Sequence, residues 1–457
     1  MSFPAYPTYK KSNVEWLGVV PDHWAVTLLK RGYEVVLGKM LQPEAKRDDD
    51  ELLPYLRAAN IQLSGVDTFD VKRMWFGAEE KKSLLLRRGD LLVSEGGDVG
   101  RSAIWDFDDE ECYFQNSINR IRSIAGNSTR FLYFWMIAIK TNGYIDVLCN
   151  KSTIAHFTAE KVAAVPLLIP TKFEQIQIAR FLDHETTRID ALIEEQKRLI
   201  ELLKEKRQAL ISHAITKGLD PTVPMKDSGV EWLGEVPAHW DVARVKNVAK
   251  LESGHTPSKD FPEYWEGGDI PWVSLNDSKK LKIVDYIEET QFMITELGVS
   301  NSSARLLPAR AVVFTRDASI GLAAITTKKM CVSQHLIAWI CNESIVLPEY
   351  LLLVFYAMEE ELDRFTFGAT IKTIGMPDIR KLVTPVPPLT EQTQVVADVN
   401  VKRELIERLI QESNTALTLH SERRSALISA AVTGKIDVRG WQPPVSVTSP
   451  ALEEEAV

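Results

Sequence analysis

The stretch from Thr171 to Thr216, TKFEQIQIARFLDHETTRIDALIEEQKRLIELLKEKRQALISHAIT, returns at Thr390 to Thr433 as TEQTQVVADVNVKRELIERLIQESNTALTLHSERRSALISAAVT. Placing Glu174-Gln175 on Glu391-Gln392 sets a shift of 217 residues. The same shift carries Ile189 onto Ile406, Leu192 onto Leu409, Ile193 onto Ile410, Leu210 onto Leu427 and Thr216 onto Thr433. One register holds for more than 40 positions. A period this long means duplicated domains, where periods of about 20 to 50 residues would mean a solenoid.

Each copy reads as a single long helix. Ile189, Leu192, Ile193, Leu199, Ile200, Leu203 and Leu210 follow at three-, four- and seven-residue steps, which places them along one stripe. Ile406, Leu409, Ile410, Leu417 and Leu427 repeat the stripe in the second copy. At 1.5 Å per residue such a helix is about 60 Å long. The opposite face, with Glu194, Glu195, Lys197, Arg198, Glu201, Lys204, Glu205, Lys206 and Arg207, is a solvated face of mixed charge. Gln196 and His420 interrupt the heptad at stripe positions, so a two-helix coiled coil is the expectation and a broader bundle the other arrangement. An antiparallel pair needs only a short step after Thr216. A parallel pair would need the chain to return about 60 Å, the reach of roughly 20 extended residues.

The duplication extends beyond the helices. NVEWLGVVPDHW at Asn13 to Trp24 recurs as GVEWLGEVPAHW at Gly229 to Trp240. Between these lead-in segments and the helices, both copies alternate strand-like runs (VTLLKRGYEVVLG, RGDLLVSEG and INRIRSI; then VARVKNVAKLESG, DIPWVSLND, RAVVFTRD, LAAITT and HLIAWI) with Gly and Asp turn signals. A helix near Thr129 to Ile139 matches one in PEYLLLVFYAMEEELDRF. The expectation is an α+β protein with an internal pseudo-two-fold repeat. Two strand-rich domains, 25–170 and 241–388, are separated by two long helices, 171–216 and 389–434, packed as an antiparallel coiled coil. An extended strap at 1–24, a linker with the second lead-in at 217–240, and a tail at 435–457 complete the order. The tail ends in EEE at Glu453 to Glu455 and reads as disordered and acidic.

Composition bounds the function classes. Hydrophobic residues at 45% and charged residues at 26% are ordinary for a globular protein. The longest apolar run, FLYFWMIAI at Phe131 to Ile139, is too short to span a bilayer, and no signal-peptide-like stretch opens the sequence, so a cytoplasmic protein without a membrane role is expected. Cys112, Cys149, Cys331 and Cys341 have no CxxC spacing and read as reduced core thiols. A net charge of −9 argues against coating nucleic acid by bulk attraction, while leaving local basic surfaces open.

The chain resembles the DNA-specificity subunit of type I restriction–modification enzymes. The resemblance is carried by TPSKDFPEYWEGGDIPWVSLND at Thr256 to Asp277, by KSTIAHFTAEKVAAVPLLIP and ATIKTIGMPDIRKLVTPVPP closing each domain, and by the Glu-Gln that opens each long helix with ALIS near its end. It covers Asn13 to about Gly440. It implies two target-recognition domains, each reading one half of a bipartite site on double-stranded DNA, with the helices acting as a ruler. It also implies two methyltransferase subunits docked on the helices and restriction-translocase subunits in the full complex. S-adenosylmethionine, ATP and Mg would then belong to those partners, with no cofactor on this chain. Because the two domains differ in sequence while their frames repeat, the target should be asymmetric.

No catalytic motif of such partners is present: there is no NPPY-like tetrad and no GxxxxGK[ST] loop. GGDVGR at Gly96 to Arg101 reads as a tight hairpin, matched by TRDASIG at Thr315 to Gly321. Arg101, Arg316 and Ser319 are its candidate DNA contacts. Asn60 and Gln62, then Gln115, Asn116 and Asn119, then Gln334 and His335 supply amide or imidazole groups able to read base edges, or else to cap their own turns. Lys151, Ser152 and Thr153, and Lys372 in the second copy, are candidate phosphate holders. In the SGHTPSK loop, His255, Thr256, Ser258 and Lys259 suit a phosphate or structural role. The alternative is a stand-alone metal-dependent DNA-processing enzyme, with Glu95 and Asp98 or the acids of Asp106 to Glu111 as ligands; solvated turns are the plainer reading of those acids.

Overall fold

The computed structural model describes residues 3–108, 110–149, 156–366 and 372–444. It divides into two compact units, Met1–Gln196 with Thr415–Val457, and Lys197–Asn414. Each long helix, Lys172–Lys217 and Leu389–Val432, gives one half to each unit.

In the first unit, Tyr9–Lys11 pairs antiparallel with Val19–Pro21, so the lead-in segment is a small hairpin where an extended strap was expected. Strands of three residues are too short to show periodicity in sequence. The next run, VTLLKRGYEVVLG, breaks in two. Ala25–Leu28 pairs with Pro166–Ile169 and brings the two ends of the strand-rich segment together, a turn at Leu29–Arg31 redirects the chain, and Tyr33–Leu37 enters the main sheet. That sheet runs Ser102–Ile104, Leu91–Ser94, Ile118–Ser123, Tyr33–Leu37, all antiparallel. A second sheet places Tyr113–Phe114 parallel to Glu51–Leu56, which pairs antiparallel with Lys72–Phe76. The helix Thr129–Thr141, capped by Ser128 Oγ accepting from Phe131 N, buries Phe131, Leu132, Phe134, Trp135, Met136 and Ile139 in the core.

The second unit repeats the plan. Met225–Asp227 pairs with Glu235–Pro237, and Asp241–Arg244 pairs with Val383–Val386. A helical turn at Val245–Val248 then redirects the chain into Ala249–Ser253. The main sheet has the same four strands, Ala249–Ser253, Leu336–Cys341, Val312–Thr315 and Ala323–Thr326, with Tyr286–Ile287 added parallel at the edge. Ile270–Val273 pairs antiparallel with Phe292–Ile294 and parallel with Cys331–Val332. The segment expected as one helix is two, Pro348–Ala357 and Glu359–Arg364, broken at Met358.

The long helices pack antiparallel within each unit. In the first, Arg424 Nε donates to Asp190 Oδ1 at 2.7 Å and Arg424 Nη2 to Oδ2 at 3.1 Å, while Ile178, Phe181 and Leu182 share a core with Ile428, Ala431 and Val432. In the second, Arg207 pairs with Glu407, and Ile211 and Ile215 share a core with Val395 and Val399. The 217-residue shift carries Asp190 onto Glu407 and Arg207 onto Arg424, so the two ion pairs are copies of one another. Ile189, Ile200, Leu203 and Ile406 are buried, and Ile193, Gln196, Leu210, Ile410, Leu417, His420 and Leu427 half-buried. Leu192 and Leu409 face solvent at 40% and 39% exposure, one position off that seam, together with Leu199, Leu202, Leu405 and Leu419.

Candidate DNA-recognition surface

The repeated motifs of the sequence meet at the start of each long helix. Thr171 and Glu174 form a capping box, Glu174 Oε2 accepting from Thr171 N at 3.1 Å while Glu174 N donates to Thr171 Oγ1 at 3.3 Å. Glu174 Oε1 accepts from the lead-in segment, from His23 Nε2 at 2.8 Å and Trp24 Nε1 at 3.4 Å. Burial pushes the Glu174 carboxyl up, but these donors outweigh it and hold its pKa below the ordinary value. The neighbouring Gln175 is buried and faces the strand-rich domain. Its Oε1 accepts from Ser128 N at 2.7 Å, and its Nε2 donates to Asn127 Oδ1 and Pro170 O, each at 3.0 Å. In the second copy Glu391 Oε2 lies 2.9 Å from His239 Nε2. Gln392 accepts from Leu347 N at 2.9 Å and donates to Ile345 O and Pro387 O at 2.8 and 2.9 Å. The Glu-Gln dipeptide thus holds the lead-in with one side chain and the strand-rich domain with the other.

Beyond the main sheet, the loop ends of the two strand-rich domains share one main-chain frame. Gly38 and Gly254 occupy equivalent places where a strand leaves the sheet. A Cβ on either would come within 2.2 Å of Gln115 O or 2.0 Å of Ser333 O. Glu95 N donates to Ser117 O at 2.9 Å and Phe157 N to Glu95 O at 2.9 Å; in the second copy Arg316 N donates to His335 O at 3.0 Å and Ile374 N to Arg316 O at 2.9 Å. The two hairpins after the Leu91–Ser94 and Val312–Thr315 strands match as well. Gly100 N donates to Ser94 O and Gly321 N to Thr315 O, and left-handed residues stand at Gly97 and Ala318 and at Gly100 and Gly321. This frame sets Glu95 opposite Arg316, Gly96 opposite Asp317, Asn116 opposite Gln334 and Ser117 opposite His335. Arg101 and Arg316, grouped by their hairpin strings, therefore occupy different places.

The candidate readers divide accordingly. Asn60 is buried, with Oδ1 accepting from Arg57 N at 2.9 Å and Nδ2 donating to Asp67 O and Asp70 O. Asn119 is buried, with Nδ2 donating to Phe157 O at 2.7 Å. Gln62 Nε2 donates to Ala59 O at 2.6 Å. Arg101 donates through Nη2 to Ala58 O at 3.1 Å, and Arg316 through Nε and Nη1 to Gln334 O and Ile374 O. These groups tie loops together. Gln115 and Asn116 are half-buried, and Ser117 Oγ donates to Gln115 Oε1 at 3.5 Å. Lys151, Ser152 and Thr153 lie outside the described residues.

The second unit gathers Thr256, Gln334, His335, Arg316, Asp317, Ser319 and Lys372. Thr256 Oγ1 donates to Gln334 Oε1, His335 Nδ1 lies 2.7 Å from Asp317 Oδ2, and Ala318 N donates to Lys372 O at 2.8 Å. Ser319 O accepts from Thr315 Oγ1, and Lys372 Nζ lies 3.3 Å from Asp363. His255 donates its N–H to Val332 O and accepts from Trp272 Nε1 through its carbonyl, leaving its ring exposed; the Lys259 side chain is also exposed. Asp317, absent from the sequence-based candidates, is 7% exposed and holds this array from beneath. The repeat frame places it under His335 only once the hairpins are superposed by hydrogen bonding.

Among the described residues no group of three or more His, Cys, Asp or Glu could hold a metal ion. Asp98 pairs with Lys140, and Asp106 and Asp108 with Arg88. Burial pushes the Cys112 and Cys341 thiols up to about 12 and Cys331 up to about 11. Among the described residues no helix is long and apolar enough to cross a membrane.

Two like domains on paired helices, with loop ends that share a frame and differ in side chains, define a recognition scaffold. Residues 29–202 and 237–412 match the family model for the type I restriction modification DNA specificity domain, and the chain belongs to that family. It is 22% identical over 451 residues to the putative type I restriction enzyme MjaX specificity subunit of Methanocaldococcus jannaschii, covering 94% of this chain and 98% of that one. It is 30% identical over 177 residues to the MjaIX specificity subunit of the same organism, covering 38% of this chain and 40% of that subunit's length. A chain from a structural study of complex assembly and conformational transition of the type I R-M system superposes with a TM-score of 0.70 at 15% identity, over 90% of this chain and 98% of that one. The HsdS subunit from Thermoanaerobacter tengcongensis superposes at 0.54 and 15% identity, over 91% and 98%. Family membership gives the chain a DNA-recognition rather than a catalytic role, within a type I restriction–modification complex.

Proposed function

We propose that each recognition domain reads one half of a bipartite, asymmetric DNA target and that the long helices set the gap between the halves. The observation that carries this is the repeated loop-end frame with unlike side chains: Glu95, Gly96, Asn116 and Ser117 in one domain stand where Arg316, Asp317, Gln334 and His335 stand in the other. A common frame presents both surfaces to a duplex in the same way, and different side chains ask for different bases. Half-sites on one face should then lie about one helical turn, or a small multiple, apart.

The helices also present what a docked subunit would cover. Leu192 and Leu419 in the first unit, and Leu199, Leu202, Leu405 and Leu409 in the second, are exposed leucines outside the seam, apolar area that a protein partner would remove from water. In this reading two methyltransferase subunits dock there, restriction-translocase subunits join in the full complex, and the assembly works in a prokaryotic cytoplasm. Leu192→Glu with Leu409→Glu should leave the fold intact by circular dichroism and weaken co-purification with the methyltransferase at least tenfold; unchanged association removes this docking surface.

The recognition reading is tested by mapping methylation in host DNA with and without this gene, the methyltransferase partner being supplied. A split motif should vanish on deletion, and exchanging residues 25–168 for those of another subunit should change one half of the motif only. A motif independent of the gene, or changed in both halves by the exchange, overturns the reading.

A further inference from the structure

We propose that Gln334 and His335 together read one adenine through its major-groove edge; this rests on the recognition function above. Asp317 is a carboxylate and can only accept, so the His335 nitrogen 2.7 Å away, Nδ1, carries the hydrogen. In the neutral tautomer that this contact selects, Nε2 is the acceptor. Gln334 has its Oε1 occupied by the Thr256 hydroxyl, so its free group is the Nε2 amide, a donor. The two exposed nitrogens lie 3.4 Å apart, and in the free protein the amide donates to the imidazole.

This makes a fixed donor beside a fixed acceptor at about the spacing of neighbouring groups on a base edge. In the major groove guanine shows two acceptors, cytosine one donor, and thymine an acceptor beside a methyl group. Adenine alone among single bases shows an acceptor, N7, beside a donor, the N6 amino group. Gln334 Nε2 donates to N7, and N6 donates to His335 Nε2. The support beneath is rigid. Asp317 is buried and bridged to Thr373, while the Arg316 guanidinium holds the carbonyl of Gln334 at 3.2 Å and its main-chain N–H holds that of His335 at 3.0 Å. Asp317 is a positioning residue, setting which imidazole nitrogen carries the hydrogen. The equivalent residues of the other domain, Gly96, Asn116 and Ser117, lack the imidazole and its carboxylate, so this reader belongs to one half-site.

The test uses the complex assembled with its methyltransferase partner and a pool of randomised duplexes. The wild type should select a split motif in which one adenine loses about 10- to 100-fold in affinity when replaced by 7-deazaadenine, which lacks the N7 acceptor. Gln334→Ala and His335→Ala should each relax that position alone, leaving the other half-site and the gap unchanged. Asp317→Asn can donate to Nδ1 and so turn Nε2 into a donor; it should shift the position toward guanine by about tenfold, an effect that mere loosening of the loop would not give. A position that proves to be a guanine·cytosine pair, or a motif indifferent to 7-deazaadenine throughout that half-site, overturns the adenine assignment while recognition by this domain stands. A wild-type complex that selects no motif overturns both.

Discussion

The two recognition domains are alike where they are fastened and unlike where they face outward. At the fastening, Gln175 and Gln392 each accept from one backbone N–H and donate twice, differing only in that Gln175 donates to Asn127 Oδ1 where Gln392 donates to Ile345 O, and Gly38 and Gly254 admit equivalent close carbonyls. At the loop ends, an Asn and a Ser stand where the other domain has a Gln and a His. The interior differs too. Arg120, 2% exposed, donates to Ser83 O at 2.8 Å and Glu34 Oε2 at 2.7 Å in a strand whose counterpart holds Ala338. The second domain instead adds the edge strand Tyr286–Ile287. There Asp285 pairs with Arg403 of the long helix and accepts from Tyr356 OH at 3.0 Å, bracing the wall of a cavity of about 650 Å³. Duplication conserves the mounting, and divergence is spent on the surface and on what braces it.

If the frames are energetic as well as geometric equals, Gly38→Ala and Gly254→Ala should each cost about 3 kcal/mol or more in urea unfolding, because backbone carbonyls must yield to the new methyl group. Tolerance of one and not the other would break the equivalence. Gln175→Ala and Gln392→Ala should each cost about 2–3 kcal/mol by leaving buried backbone groups unpaired. A difference well above 1 kcal/mol between the two would show that the mountings have diverged. Where the domains differ, replacing the pair together, Arg120→Met with Glu34→Gln, should change stability by about 1 kcal/mol or less, or raise it, since burial already disfavours the charged guanidinium and holds its pKa down. A loss of several kcal/mol would make that ion pair a requirement of the first domain.

The smallest effect is one of pH. The Glu174 carboxyl titrates below its ordinary 4.5 in the folded chain, so its contribution is complete above that value and fades as pH falls through the folded pKa. Glu174→Gln should lower stability at neutral pH and flatten the acid limb of the stability curve. An acid limb as steep as the wild type's would assign the loss to other carboxylates.

Much of this was legible in sequence because helices and strands leave periodic traces. The long helices and most strands of both sheets follow from apolar spacing, and the repeat and its lead-in segments from strings that recur along the chain. The seam passes through Gln196 and His420, which the heptad phase already placed on the stripe. What escaped was set by tertiary hydrogen bonds. Leu29 and Val245 turn the chain between sheets because their N–H groups donate to Val165 O and Leu382 O, partners more than 100 residues away in sequence. Asn60 and Asn119 look like base readers by residue type, yet the fold buries both and engages their Nδ2 groups internally. Asp317 shows its role only once it lies under His335.

Among the described residues the Gln392 amide hydrogen-bonds to main-chain atoms alone, and Gln175 to main chain and one asparagine. Main chain is the one part of a protein that looks the same whatever the side chains are. A domain bolted on in this way can have its outward face rewritten, or be exchanged whole for another of the same outline, without the bolt registering the change.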